Sequence, residues 1–178
     1  NIVIKIGSTS IIDPKTRTLK SKWFDDLCND VAKIHKKKKI IIVCSGAIAL
    51  GSKTISNKKI LQRLEDKQAA AAIGQIELAY QWKQKLKKHK INTAQLLLTL
   101  DDSEIRRRYL NARKTITSLH KKNVIPVINE NDTVATEEIR YGDNDRLAAR
   151  VAQMIDADLL VLLSDVDGLY DSNPINNK

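Results

Sequence analysis

Lys5 stands inside the apolar run Ile2-Val3-Ile4-Lys5-Ile6 and is followed at once by Gly7-Ser8. A charge in such a run is costly unless an anion meets it, and a phosphate would supply one. Gly7 adds backbone N–H groups that can point at phosphate oxygens. Four more polar stretches have complementary contents: Ser45-Gly46, Asn129-Glu130-Asn131-Asp132, Gly142-Asp143-Asn144-Asp145 and Ser164-Asp165. Carboxylates brought together from such loops can grip an ammonium group, orient lysines or hold Mg²⁺ through water. The set suits an amino acid and a nucleotide bound side by side. Each piece also has a structural reading: Lys5 pointing to solvent on an edge strand, Ser45-Gly46 as a tight turn, and Asp143-Asn144-Asp145 as a helix cap. Asp165-Val166-Asp167-Gly168 reads equally as a turn.

Other chemistries are disfavoured. No Gly-x-x-x-x-Gly-Lys-Ser/Thr string occurs, which excludes ordinary P-loop phosphate handling. The Gly-x-Ser-x-Gly elbow is missing, and His35, His89 and His120 fall in or beside lysine-rich helix ends, away from Ser45. All three are expected on the solvated surface. Cys28 and Cys44 have neither zinc spacing nor a disulfide framework and are expected as small core residues.

The elements that must carry these loops alternate. Ile2-Val3-Ile4 predicts a strand, with Gly7-Ser8-Thr9-Ser10 as a polar turn in which a helix would not start. Phe24, Leu27, Val31 and Ile34 recur at helical spacing, and Ile40-Ile41-Ile42-Val43-Cys44 predicts the next strand. The small residues from Ser45 to Gly51 predict a loop that a ligand or another element can approach closely. An alanine-rich helix is expected over 68–88, with Ile73, Ile76 and Tyr80 along one face. A strand over 93–98 precedes an amphipathic helix marked by Ile105, Tyr109, Ala112, Ile116 and Leu119. Val124-Ile125-Pro126-Val127-Ile128 is a strand whose proline needs a place where the missing N–H does no harm. Glu137 to Tyr141 is a candidate hairpin arm; Leu147, Val151 and Ile155 mark a last helix and Leu159 to Leu163 a last strand. This alternation predicts a mostly parallel sheet covered by helices on both faces, with ligands at the carboxyl ends of its strands.

The chain has 178 residues, 42% of them hydrophobic, enough for one compact domain over 1–178. No apolar run approaches the roughly 20 residues of a membrane helix, and the N-terminus lacks signal-peptide features, so a soluble, cytoplasmic protein without membrane contact is expected. The net charge of +10 suits a nucleic-acid binder or an enzyme for anionic substrates. Much of it sits in Lys36-Lys37-Lys38-Lys39 and in the segment from Lys83 to Lys90, where cations complement helix ends and stay solvated. With aromatic residues at 4%, stacking platforms for nucleic acid are scarce, and no nucleic-acid partner is expected.

Taken together, Val3-Ile4-Lys5-Ile6-Gly7-Ser8, Val43-Cys44-Ser45-Gly46-Ala47-Ile48-Ala49-Leu50-Gly51, Ile128-Asn129-Glu130-Asn131-Asp132 and Tyr141-Gly142-Asp143-Asn144-Asp145 resemble the glutamate 5-kinases of the amino acid kinase family. Gln68 to Gln75, Leu97-Leu98-Thr99 and Tyr109 to Arg113 fit the same family, so the resemblance covers essentially the whole chain. It implies an α/β fold, a three-layer αβα sandwich around a mostly parallel sheet. It also implies ATP-dependent phosphorylation of the L-glutamate side-chain carboxylate to glutamyl 5-phosphate, the first step of proline synthesis. Lys5 and Asp165 would be catalytic. Ser45, Gly46, Asp132, Asn144, Asp143 and Asp145 would bind glutamate, Asp132 through its ammonium and Asn144 through a carboxylate, with the flanking aspartates supporting the loop. Lys5, Gly7, Ser8, Ser164 and Asp165 would face ATP, and Mg²⁺ would arrive held by phosphates and water rather than by a dedicated set of protein ligands. A homo-oligomer and feedback inhibition by proline are further family traits. Family members continue beyond the equivalent of Lys178 with a Gly-rich nucleotide segment and a second catalytic lysine. The alternative expectations are a truncated, inactive glutamate-binding remnant and, further off, a basic nucleic-acid-binding module.

Overall fold

The computed structural model describes residues 1–55, 61, 63–134, 144–164 and 168. Its elements run β1 (Ile2–Ile6), α1 (Ser8–Ile11), β2 (Ile12–Asp13), β3 (Thr18–Leu19), α2 (Ser21–His35), β4 (Ile40–Cys44) and α3 (Ala47–Ile55). They continue as α4 (Leu64–Lys87), β5 (Asn92–Leu98), α5 (Leu100–Glu104), α6 (Arg106–Lys121), β6 (Val124–Glu130), α7 (Asn144–Met154) and β7 (Leu159–Leu163). β1, β4, β5, β6 and β7 form one sheet in the order β5-β6-β4-β1-β7, and every pairing is parallel. β2 and β3 make a small antiparallel ribbon after the first strand.

Side-chain alternation along the strands divides the core in two. Ile4, Ile6, Ile40, Ile42 and Cys44 pack with Phe24, Cys28, Leu78, Trp82 and Leu86 from α2 and α4. Val3, Ile41 and Val43 face the other way, onto Ala112 and Ile116 of α6 and Leu147, Val151 and Met154 of α7. The result is the expected helix–sheet–helix sandwich. Both cysteines lie in the first core as free thiols, and burial pushes each up to about 12. Among the described residues, no helix is long and apolar enough to cross a membrane.

Several local expectations are corrected. The turn after β1 does hold a helix start, since α1 begins at Ser8 with Gly7 as its extended N-cap. The loop after β4 is only Ser45-Gly46, and α3 begins at Ala47. On α4 the face expected to be apolar and buried turns outward: Ile73 is 38% exposed, Ile76 76% and Tyr80 51%. The buried face is instead Ala70, Ala71, Gly74, Gln75, Leu78, Trp82, Lys85 and Leu86. Small residues win there because α3 crosses α4 at backbone contact; a Cβ on Gly51 would overlap the Ala70 carbonyl, and one on Gly74 the Ala47 carbonyl.

β6 is an interior strand, and it tolerates Pro126 because pairing with β4 begins one residue later, at Ile42↔Val127. Lys85 is not solvated: it is buried and paired with Asp25 at 2.8 Å. Nor are two of the histidines. His35 and His120 are half-buried, and burial lowers the pKa of each from its ordinary value of 6.5. The expected hairpin arm, Glu137 to Tyr141, lies outside the described residues.

Candidate active site

In a parallel sheet the loops at the carboxyl ends of the strands share one edge. At that edge a cavity of about 340 Å³ is lined by Ser8 after β1, Ser45 and Gly46 after β4, Asn129, Glu130 and Asp132 from the end of β6, and Asn144 at the start of α7. Ala47 and Ser52 of α3, Leu61, and Lys67 of α4 help to close it.

Asn144 ties the strand ends together. It is 6% exposed, and the two hydrogens of its Nδ2 are shared among three acceptors, the Cys44 carbonyl (3.1 Å), Ser45 Oγ (2.6 Å) and Asn129 Oδ1 (3.0 Å). The Cys44 carbonyl can only accept, which fixes the orientation of the amide. Its Oδ1 is left buried without a hydrogen-bond partner among the described residues. The network runs on through Asn129, which accepts from the Glu130 N–H at 2.9 Å and donates to Gln75 Oε1 at 2.7 Å. It therefore joins β4, β6, α4 and α7. The spent donors and open acceptor of Asn144 suit a ligand ammonium, against the expectation that this residue meets a carboxylate.

Asp132 is half-buried on the same wall, and burial raises its carboxyl pKa to about 6. Gly46 turns the chain from β4 into α3 at φ 119°, a conformation L side chains rarely adopt, and a Cβ there would overlap Ile12.

Lys5 is not a solvent-facing lysine on an edge strand. It is 8% exposed on β1, an interior strand of the sheet, with Val43 and Leu162 as its neighbours in register. Its Nζ meets Asp145 Oδ1 at 2.7 Å. Asp145, in the first turn of α7, thus holds the lysine rather than lining the cavity. A Cβ on Gly7 would lie 3.7 Å from the Lys5 Nζ, an ordinary contact distance, so Gly7 leaves one methyl's worth of room beside the ammonium. The Gly7 N–H is committed to the Leu163 carbonyl at 3.0 Å, so it is not the phosphate donor expected of it. Ser164 follows β7 beside this strand end. Asp143 and Asp165 lie outside the described residues.

The residues missed from sequence are Lys67 and Gln75, while Asn129 was read only as part of a polar stretch at a strand end. For Asn129 and Gln75 the signal was present, as amides within otherwise apolar or alanine-rich runs; Lys67 is one lysine among many.

The amino acid kinase family matches residues 1–178. Over 177 residues the chain is 55% identical to the glutamate 5-kinase of Bradyrhizobium diazoefficiens, covering 99% of this chain and 48% of that one. It is 58% identical over 174 residues to the glutamate 5-kinase of Agrobacterium fabrum, covering 97% and 44%. The chain thus spans about half the length of these relatives. Among solved structures, the isopentenyl phosphate kinase of T. acidophilum superposes with a TM-score of 0.65 at 14% identity, covering 99% of this chain and 75% of that one. The UMP kinase of Ureaplasma parvum gives 0.62 at 20%, covering 96% and 71%. At such identities these two share the fold. With the family's pattern running from the first residue to the last, this chain belongs to the amino acid kinase family.

Proposed function

We propose that this chain forms the amino-acid side of a glutamate 5-kinase, which transfers the γ-phosphoryl group of ATP to the side-chain carboxylate of L-glutamate and so opens the route to proline. The observation that carries this reading is the meeting of Ser45, Asp132 and Asn144 around one cavity, next to a buried Lys5 held by Asp145. At about 340 Å³ the cavity has room for an amino acid but not for a nucleotide as well.

The carboxylate is already a nucleophile, so positioning and charge neutralisation are what the protein must supply. Asp132 and the open Asn144 Oδ1 take the substrate ammonium. Ser45 Oγ, one of three acceptors sharing the two Asn144 amide hydrogens, keeps its own hydrogen for the reacting carboxylate. Lys5, oriented by Asp145, neutralises charge on the phosphoryl group in flight, and Gly7 keeps side-chain atoms away from its ammonium. Ser164 and Asp165 are assigned to the nucleotide side, Ser8 on the β1 rim of the cavity to the junction of the two substrates, and Asp143 to the support of Asn144. Mg²⁺ bound to the triphosphate supplies further neutralisation when present. High identity to named glutamate 5-kinases supports the choice of glutamate over other acceptors.

The test is ADP release with L-glutamate, ATP and Mg²⁺ by the protein that carries this chain. Turnover is expected to require glutamate. Lys5→Met, which keeps the buried stem, is expected to lower kcat by about 100-fold or more while retaining native circular dichroism. Turnover indifferent to glutamate, or an undiminished Lys5→Met, overturns the assignment.

A further inference from the structure

We infer that Lys67 is the specificity-determining cation of this cavity, pairing with the backbone-type carboxylate that the amino acid carries beside its ammonium. The inference rests on the reading of the cavity as an amino-acid site and names the group that recognises one end of the substrate.

Lys67 is the only lysine or arginine among the described residues lining the cavity. Among the described residues its ammonium has neither an ion pair nor a hydrogen bond, whereas Lys5 is held by Asp145 and Arg63 by Glu65. Its backbone is fixed in the first turn of α4, where its N–H donates to the Arg63 carbonyl at 3.2 Å. Lys67 lines the cavity from α4, which packs on α3 at backbone contact through Gly51 and Gly74.

Charge balance supplies the rest. A dicarboxylic amino acid brings two carboxylates and one ammonium. Asp132 and Asn144 Oδ1 provide for the ammonium, and the reacting carboxylate must face Lys5. The other carboxylate needs a donor. Asn144 cannot serve, because its two N–H hydrogens already go to acceptors of the protein. Asn129 has given one amide hydrogen to Gln75, so it offers at most one neutral hydrogen and no charge. Lys67 is the charged donor left on the wall, and a flexible ammonium on a four-carbon stem suits a carboxylate that must be held but not activated.

The experiment uses steady-state kinetics on the protein carrying this chain, with two competitive inhibitors as probes. Glutarate keeps both carboxylates and lacks the ammonium; 4-aminobutyrate keeps the ammonium and the distal carboxylate and lacks the other. Lys67→Met is expected to raise KM for glutamate and Ki for glutarate by about 10- to 100-fold, the scale of a charge-assisted contact. It should leave kcat and Ki for 4-aminobutyrate within about threefold, and Lys67→Arg should restore part of the loss. An equal rise in both inhibition constants, or unchanged KM, overturns the role of Lys67. Failure of the parent protein to turn over glutamate would instead overturn the functional reading beneath it, so the two failures are distinguishable.

Discussion

Asp132 shows how one residue's burial becomes a pH dependence. Its carboxyl is raised to about 6 by desolvation alone, so in the free protein it is neutral below that pH and charged above it. Only the charged form attracts an ammonium. We therefore expect kcat/KM for glutamate to fall about tenfold per pH unit below about 6, a slope that Asp132→Asn should abolish together with most of the affinity. Linkage runs the other way for the fold. The group binds more protons folded than unfolded between its ordinary 3.8 and about 6, so its effect on stability worsens as pH rises through that window. Asp132→Asn should then raise the melting temperature above pH 6, measured by calorimetry. The sequence marked Asp132 as a candidate for the ammonium but not its burial, which depends on groups distant in the chain.

At the scale of elements, α3 and α4 decide where the cavity's far wall stands. Their contact passes through two glycines with no room for a methyl group. Gly51→Ala must push the helices apart, and we expect a loss of about 1–3 kcal/mol, read as a fall in melting temperature of several degrees. If Lys67 is carried on that crossing, KM for glutamate should rise as well. The crossing also explains why α4 was legible as a helix but not as an oriented one. Alanine richness predicts helix from either side, whereas the choice of buried face follows from which partner comes closest. Ile76 and Tyr80, the residues that periodicity favours for burial, lose to alanine and glycine.

For the molecule as a whole, the two ends of the sheet differ in chemistry. The carboxyl-end edge holds the cavity, while the opposite end gathers Lys37, Lys38 and Lys39 with His35 and His120 around Asn123. His120 approaches the Ile40 carbonyl at 3.2 Å, and both rings have pKa values lowered by burial. Lys39, the N-terminal ammonium and His35 also oppose a charge on His120. The unfolded chain therefore binds more protons than the folded one just below pH 6.5, so stability is full above that value and falls as pH drops through it. Denaturation midpoints at pH 7.5 and pH 5.5 should show this decline, and the His35→Gln/His120→Gln double variant should flatten it. Asp13, Asp25 and Asp158, whose carboxyls are held low, act in a separate window below their ordinary 3.8, whereas Asp132, raised to about 6, opposes the decline below that pH, so the double variant is compared in an Asp132→Asn background.

The alternation of β-branched runs with helical periodicity was enough to predict a parallel, helix-covered sheet, because strand and helix periods are local properties of the chain. The polar loops at the strand ends were legible for the same reason, as breaks in that pattern. Tertiary structure alone decided what those residues face. It buried Lys5 against Asp145, spent the amide hydrogens of Asn144 on Cys44, Ser45 and Asn129, and set Lys67 on the cavity wall. Burial, pairing and an open hydrogen-bond site depend on groups distant in sequence, and in each case the partner comes from a different element, so no local pattern encodes them.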